Sequence, residues 1–268
     1  MTPSAIIVAP VIAAAVRLLR RVFPASTRAR IRLFLFEWLD LSWRLPCGIS
    51  IRIASYTEWV IYNEIFVSGE YDDALAAALD ARSDPSVPLQ VLDLGAHVGF
   101  FTLRVADWIR RHDPAATLRV TAIEGHPARA REFRRRVHTA NRLTSEVTLV
   151  EGLVGERSGT TALFDDTLVS TPGRQQVAAR YVDLSAVVAD CQRIDLLKCD
   201  VEGSELRVLE NYPDVFAKAH AVVFELHRNL CDVDRCRRLI DEYGFVHARV
   251  VREEGPYLIY FASRTPLP

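Results

Sequence analysis

The sequence predicts an α/β fold, with a mostly parallel sheet, a C-terminal antiparallel hairpin and a helical N-terminal extension. Three observations carry that prediction. From Leu89 onward, short apolar runs alternate with segments of helical periodicity, the pattern of parallel strands joined by crossover helices. The last two apolar runs, 245–252 and 257–263, are separated only by Glu253-Glu254-Gly255-Pro256, which leaves no room for a helix and makes the pair antiparallel. The 268 residues are enough for one large domain of this kind with an extension in front of it.

The composition is that of a globular chain, 50% hydrophobic and 25% charged. Its 33 Lys and Arg against 34 Asp and Glu leave a net charge of −1, without the basic excess on which a general nucleic-acid binder depends. The five cysteines, Cys47, Cys191, Cys199, Cys231 and Cys236, include no C-x-x-C pair. They read as reduced thiols of a cytoplasmic protein.

The extension reads as helical over 1–45 and, taken through 85, as an accessory region. Residues 5–16 are almost unbroken apolar and are followed by Arg17, Arg20 and Arg21. The run is shorter than the roughly 20 residues of a bilayer span, and its charge follows the apolar stretch, where a secretory signal carries it in front. A helix packed on the domain or on a second subunit is the first reading, which makes a homodimer an expectation. A shallow, peripheral membrane contact is the second. A further apolar stretch covers 31–36, and Pro46-Cys47-Gly48 breaks the pattern. Ile49-Ser50-Ile51-Arg52-Ile53 then alternates as a half-buried strand does. The alanine- and leucine-rich stretch 72–81 is a helix former. Ser83-Asp84-Pro85-Ser86-Val87-Pro88 is a linker by composition, so the main domain is expected over 86–268.

The first strand of that domain is 89–94, and its first helix starts near Gly99 with Phe101, Val105 and Trp108 on one face. A second strand covers 118–123. Pro127 opens the next helix, whose buried stripe is Ala130, Phe133, Val137 and Ala140. Its arginines, Arg129, Arg131, Arg134, Arg135 and Arg136, read as a solvated outer face. Strands follow at 147–154, 194–201 and 221–226, with a hairpin and a helix inserted over 155–190 and a helix at 232–243. Ser170-Thr171-Pro172-Gly173-Arg174-Gln175-Gln176 has the composition of a lid. A parallel sheet closed by an antiparallel hairpin is the Rossmann-like arrangement of class I methyltransferases, whereas a dinucleotide-binding sheet normally stays parallel.

Val91-Leu92-Asp93-Leu94-Gly95-Ala96-His97-Val98-Gly99-Phe100-Phe101 reads as a strand, a tight turn and a helix start. Gly95 and Gly99 let the backbone approach a ligand, which meets N–H groups suited to a carboxylate or phosphate at the helix N-terminus. Gly-x-x-x-Gly meets only half of the dinucleotide fingerprint. S-adenosylmethionine brings a carboxylate to such a site. Asp93 is then placed to accept from its ammonium group, directly or through water, and Ala96 and His97 complete the loop. Glu124, directly after Val120-Thr121-Ala122-Ile123, can accept both ribose hydroxyls, with Gly125 keeping the strand end open. Backbone groups of Gly152 and Leu153, one strand further, are the expected contacts to an adenine ring.

These segments resemble the FkbM-type methyltransferases. The likeness lies in Asp93-Leu94-Gly95-Ala96-His97-Val98-Gly99, Glu124-Gly125-His126-Pro127, Asn141, Phe224-Glu225-Leu226-His227 and, most specifically, Ile194-Asp195-Leu196-Leu197-Lys198-Cys199-Asp200-Val201-Glu202-Gly203-Ser204-Glu205. Glu64-Ile65-Phe66-Val67-Ser68-Gly69-Glu70-Tyr71 is similar to the segment that precedes the cofactor loop there. Gly125 departs from the family's usual Glu-Pro pair and Cys199 from a usual isoleucine; neither change removes a cofactor ligand. The resemblance implies an S-adenosylmethionine-dependent O-methyltransferase acting on a hydroxyl of a sugar, glycolipid or polyketide-type natural product.

An alcohol is a poor nucleophile, so such an enzyme must hold its oxygen behind the methyl carbon and remove its proton. Lys198, Asp200 and Glu202 have the period-two spacing of one strand face, provided the strand runs that far. Glu225 and His227 are likewise two apart on the neighbouring strand. Asp200 or His227 is the expected proton acceptor, with Glu202 and Glu225 orienting acceptor hydroxyls. Glu205 suits the dipole of the next helix. Such oxygen-rich groups favour magnesium, but the sequence fixes no ligand geometry, so no metal ligand is assigned and a divalent metal is left open. The partner is a small-molecule or glycan hydroxyl acceptor, expected against 155–190 and the N-terminal region. Two readings compete: a nicotinamide-dependent oxidoreductase, disfavoured by the missing third glycine and the hairpin, and a non-catalytic binding protein, disfavoured by the acidic cluster.

Overall fold

The computed structural model describes residues 41–82, 84, 86–164 and 176–266, with Thr27 and Phe36. The apolar run at 5–16, with its subunit and membrane readings, lies outside the described residues, as do 31–35 and nearly all of the expected lid. Among the described residues no helix is long and apolar enough to cross a membrane.

The first described elements are β1 (Leu41–Arg44) and β2 (Ser50–Ile53), an antiparallel pair with Trp43 opposite Ile51. This corrects the helical reading of 1–45 at its end. Leu41-Ser42-Trp43-Arg44 alternates at period two, and Gly48 at φ +89° turns the chain back onto itself. Ser55 then caps α1 (Tyr56–Tyr62), accepting from the Glu58 N–H at 3.1 Å. A π-helical turn, Asn63–Val67, and α2 (Asp72–Asp80) complete this segment.

The main sheet has seven strands: β3 (Leu89–Leu94), β4 (Leu118–Glu124), β5 (Val147–Glu151), β8 (Ile194–Cys199), β9 (Ala219–His227), β10 (His247–Glu254) and β11 (Tyr257–Ser263). Their order is β10-β11-β9-β8-β3-β4-β5. The five from β9 to β5 are parallel, and β11 and β10 close the edge antiparallel. The predicted fold class is therefore observed, and the hairpin turns on Gly255-Pro256 with Glu254 opposite Tyr257. A separate hairpin, β6 (Thr160–Phe164) with β7 (Gln176–Arg180), fills the insertion.

Both faces of the sheet are covered, so its strands are apolar on both sides. Val91, Val120, Ala122, Leu196, Val223 and Phe261 join one buried cluster, together with Ile49, Ile51 and Ile53 of the β2 region and Leu75 of α2. Leu92, Leu94, Ile123, Leu197, Val222, Phe224 and Tyr260 join the other. The split between neighbouring positions is the two-residue pleat at work. The covering helices are α3 (Phe100–His112), α4 (Pro127–Phe133), the short α5 (Leu184–Val187), α6 (Glu205–Asn211), α7 (Pro213–Lys218) and α8 (Val233–Glu242).

Two helical expectations are corrected here. After Phe133 the chain widens into a π-helical segment, Arg134–Ala140, so the rotation per residue changes. Ala130, Phe133 and Val137 stay buried, but Ala140 is exposed. Arg136 turns inward and is 3% exposed. It donates to both carboxylate oxygens of Glu58 at 2.9 Å and to the Arg52 carbonyl at 2.8 Å, tying α1 to this helix. The strands also stop earlier than expected, β5 at Glu151 and β8 at Cys199. The second of these shortfalls decides how the acidic residues are placed.

Candidate active site

The carboxyl ends of β3, β4, β8 and β9 meet in one crevice, where an open α/β sheet binds its ligands. Its first half is built from the turns after β3 and β4. Gly95 lies at φ +78°, and a Cβ added there would sit 1.7 Å from the Asp200 carbonyl oxygen. Gly99, at φ +96°, is closed off by Val137 at 2.6 Å and Phe133 at 3.0 Å. Both glycines are thus required by close approach of the protein to itself.

The amides of this turn are also spoken for. Gly95 and Ala96 N–H donate to the Ile123 carbonyl at 3.0 and 2.9 Å, and Gly99 N–H donates to the Ala96 carbonyl at 2.9 Å. His97, itself at φ +51°, donates its N–H to Glu124 at 2.8 Å. An anion held here therefore meets the first turn of α3 and the amide of Val98 ahead of these four amides. The imidazole of His97 is pushed down to about 3 by burial, with Arg129 and Lys198 adding to the effect. It is neutral at physiological pH.

Glu124 is 6% exposed and accepts from two backbone N–H groups, His97 at 2.8 Å and His126 at 2.7 Å. Burial raises its pKa, and those two bonds with nearby Arg129 and Lys198 pull the other way. One bond falls on each carboxylate oxygen, which leaves each a further lone pair. Gly125 sits against Leu153: a Cβ on Gly125 would meet the Leu153 side chain at 2.3 Å. The amides of Gly152 and Leu153 are used internally, by the Glu124 carbonyl at 3.0 Å and the Arg180 carbonyl at 2.8 Å. Of the backbone groups expected against an adenine ring, these two amides are therefore already bonded, and the Leu153 side chain lies beside them.

Asp93 is completely buried. It accepts from the Thr102 hydroxyl at 2.8 Å and faces Lys198 at 3.4 Å. Its expected direct contact to an ammonium group is therefore occupied by a protein ammonium. Lys198, 4% exposed, also donates to the Gly95 carbonyl at 2.8 Å and reaches Asp200 at 3.5 Å. Burial opposes the charge of Lys198, but Asp200 and Asp93 hold its pKa above the ordinary range. Burial pushes that of Asp93 up against the pull of Lys198. One buried cation thus links the turn after β3 to the acidic half of the crevice.

That half does not rest on a pleat. Since β8 ends at Cys199, Asp200 donates its N–H to the Leu94 carbonyl at 3.1 Å and the chain leaves the sheet. Glu202 is then directed by a left-handed backbone, φ +53°, with Gly203 following at φ +99°. The period-two placement on one strand face is corrected, yet the side chains still converge. One donor atom each from Asp200, Glu202 and His227 lie within 4.8 Å of one another, which makes these three the residues able to hold a metal ion. His227 Nε2 is 3.7 Å from Glu225 and 3.7 Å from Glu202. Glu225 is raised to about 8 by burial and by the repulsion of Asp200. His227 is raised to about 9 by the Glu205 carboxylate beside it, against the cost of burial.

Sequence reasoning undervalued three residues. Glu205 is 0% exposed: its carboxylate folds back to accept from Gly203 N–H at 3.0 Å and faces His227 Nδ1 at 3.4 Å. The short interval from Gly203 to an acid in the next helix was the available signal. Lys198 is the organising cation, legible only once β3 and β8 are neighbours. Tyr71, buried in the turn before α2, has its phenol raised by burial and then by the charges of Asp200 and Glu225. Its sequence neighbourhood gives no sign of that.

Residues 93–246 match the Methyltransferase FkbM domain. Among solved structures, the chain is similar to the magnesium protoporphyrin IX methyltransferase (ChlM) of Synechocystis PCC 6803 with bound SAM: 13% identity over 76% of this chain and 83% of that one, TM-score 0.46. It is similar to the methyltransferase FkbM of Methylobacillus flagellatus KT, at 15% identity over 65% and 43% with a TM-score of 0.44. It is similar to WbdD at 19% identity over 74% and 39% with a TM-score of 0.43. The chain spans less than half of the length of these last two. No curated protein matches it. The family match covers more than half of the chain and includes both halves of the crevice. The chain accordingly belongs to the FkbM methyltransferase family, not to the nicotinamide-dependent oxidoreductases that share its sheet.

Proposed function

We propose that the protein transfers the methyl group of S-adenosylmethionine to a hydroxyl oxygen of a sugar, glycolipid or polyketide-type acceptor, with Asp200 taking the hydroxyl proton. The observation that carries this reading is the contact between the two halves of the crevice. The backbone of Asp200 closes on Gly95, and Lys198 bridges Asp93 and Asp200. The proton acceptor is thereby fixed against the turn that would hold the methyl donor.

Glu124 would hold the ribose through the lone pairs its backbone bonds leave free, and the first turn of α3 would face the donor's carboxylate. The acceptor oxygen attacks the methyl carbon from behind, the carbon–sulfur bond breaks, and its electron pair stays on sulfur as S-adenosylhomocysteine departs. The proton passes to Asp200. His227 is the weaker choice for this role, because its ring is held between Glu205 on one side and Glu202 with Glu225 on the other. Positioning of the two reactants is worth up to roughly 7–11 kcal/mol in favourable systems, and a base adds about 10²–10⁴-fold.

A cleft of 590 Å³, lined by none of the crevice residues named above, is where the far end of a polyhydroxylated acceptor would rest. Tyr56 and Trp59 offer ring surface, and Asn63, Glu64, Glu70 and Arg252 offer hydrogen-bonding groups. Arg252 is pinned there by Glu64 and Glu254 at 2.7 Å each and by Glu70. The test is calorimetric titration with S-adenosylmethionine, S-adenosylhomocysteine and NAD, followed by a panel of sugar, glycolipid and polyketide alcohols scored for S-adenosylhomocysteine release. Donor binding with turnover on one acceptor class is expected. A chain that binds neither sulfur compound, or that methylates only nitrogen or carbon, overturns the reading.

A further inference from the structure

Where β8 and β9 end, the described structure gathers more negative charge than its own cations answer. Asp200, Glu202 and Glu225 face the same small space as His227, and Lys198 approaches only Asp200 among them, at 3.5 Å. A group of carboxylates is common on protein surfaces and by itself indicates nothing. The histidine changes its meaning. His227 is 3% exposed, and its Nε2 points into the group without a hydrogen bond among the described residues, the nearest carboxylate oxygens being 3.7 Å away. A side chain 4% exposed that turns a nitrogen with no hydrogen bond among the described residues toward three carboxylates calls for an occupant there. On the opposite side of the ring, Nδ1 faces the fully buried Glu205 at 3.4 Å. A metal-ligating histidine almost always gives its other nitrogen to a carboxylate, a backbone carbonyl or water, and Glu205 stands beside Nδ1 for that role.

We propose that Asp200, Glu202 and His227 form a binding site for a divalent metal ion of the Mn²⁺ or Mg²⁺ type, with Glu205 positioning the histidine. The spacing fits. Two donors each about 2.1 Å from one ion lie at most about 4.2 Å apart, so atoms already within 4.8 Å need only a small closure. Glu202, whose side chain is 71% exposed, is free to make it. Carboxylates with one imidazole suit Mn²⁺, and a three-residue set leaves coordination positions open to a substrate. The role of the ion rests on the methyl-transfer reading above: it would sit beside the proton acceptor and draw in the acceptor hydroxyl. One oxygen of Asp200 would then serve the ion and the other the departing proton. Bond changes remain those of methyl transfer, with no oxidant or reductant involved.

The experiment is a Mn²⁺ titration of the full chain, stripped with chelator, followed by electron paramagnetic resonance of free Mn²⁺ and by calorimetry, with no methyl donor present. One Mn²⁺ per chain is expected. Binding should weaken at least tenfold in Asp200→Asn and in Glu202→Gln, and about 10–100-fold in Glu205→Gln through loss of the ring's support. Glu202→Gln changes an exposed side chain and keeps the proposal testable if the buried variants fail to fold, which circular dichroism reports. Absence of a Mn²⁺ site in the wild-type chain overturns the proposal, as does binding that Glu202→Gln and Asp200→Asn leave unchanged. Titration with S-adenosylhomocysteine on the same samples separates the two claims. Donor binding without Mn²⁺ binding ends the metal site alone, and Mn²⁺ binding without donor binding ends the methyl-transfer reading alone.

Discussion

The two halves of the crevice are built on opposite principles. Around Gly95 and Glu124, most of the backbone is matched inside the protein: four turn amides to acceptors, and Glu124 to two N–H groups, with Asp93 accepting from Thr102 beside Lys198. Around Asp200, Glu202, Glu225 and His227, the ionic approaches run from 3.4 Å (His227 to Glu205) and 3.5 Å (Lys198 to Asp200) to 3.7 Å (His227 to Glu202 and Glu225), and the pKa values of Glu225 and His227 are displaced upward. The first half is the more closed of the two, with Asp93 Oδ1 and His97 Nδ1 buried there without a hydrogen bond among the described residues. The second is completed by what binds to it. A donor-binding half can be rigid because its ligand is always the same, whereas a half that handles charge and protons keeps unsatisfied groups ready, at a cost in stability.

The contrast can be tested from each side. The largest effect should come from the open half: Asp200→Asn is expected to lower kcat by about 10²–10⁴-fold, with donor affinity measured by calorimetry unchanged within about twofold. A donor affinity that falls with kcat would mean that the two halves are not separable. Next comes the closed half. Gly95→Ala drives a methyl group toward the Asp200 carbonyl at a backbone angle of φ +78°, and should cost about 3 kcal/mol in thermal or denaturant unfolding while also abolishing donor binding. A variant as stable as the parent would show that the turn is not locked. The smallest effect is expected for Glu124→Gln, which keeps the shape but weakens the bonds from two amides and the ribose. Donor affinity should fall about tenfold with kcat nearly unchanged at saturation. A loss confined to kcat would move Glu124 out of the donor half.

Much of this was legible in the chain, and the gaps have identifiable causes. Strand–helix alternation placed all seven strands, because burial on both faces leaves apolar runs that single-residue substitutions do not hide. The turn after β3 and Glu124 beside it were placed from a strand, a glycine and an acid in immediate succession. Where β8 ends was not legible. Asp200 and Glu202 continue the period-two pattern in sequence, and only the contact of Gly95 with the Asp200 carbonyl, across a strand pair roughly a hundred positions apart in the chain, tells the backbone to leave the sheet. Arg136 escaped for a local reason: the π-helical turn shifts the helix phase, so an arginine in a run of arginines points inward to Glu58. Glu205 was taken as a partner of the helix dipole, since proximity to His227 depends on the packing of α6 beside β9, which no spacing reports.

The position of β11 has a consequence for how the molecule comes into being. This strand is a wedge, inserted between β9 on one side and β10 on the other, although both precede it in the chain. During synthesis β9 must therefore wait with a bare edge, and β10 with nothing in the sheet to pair with, until 257–263 arrives. Tyr257, the first residue of that wedge, is also the ring that stands edge-on against His227 at 5.3 Å. The histidine thus meets its ring neighbour in the same late event that seals the sheet, so this part of the crevice is completed together with the last fold contacts.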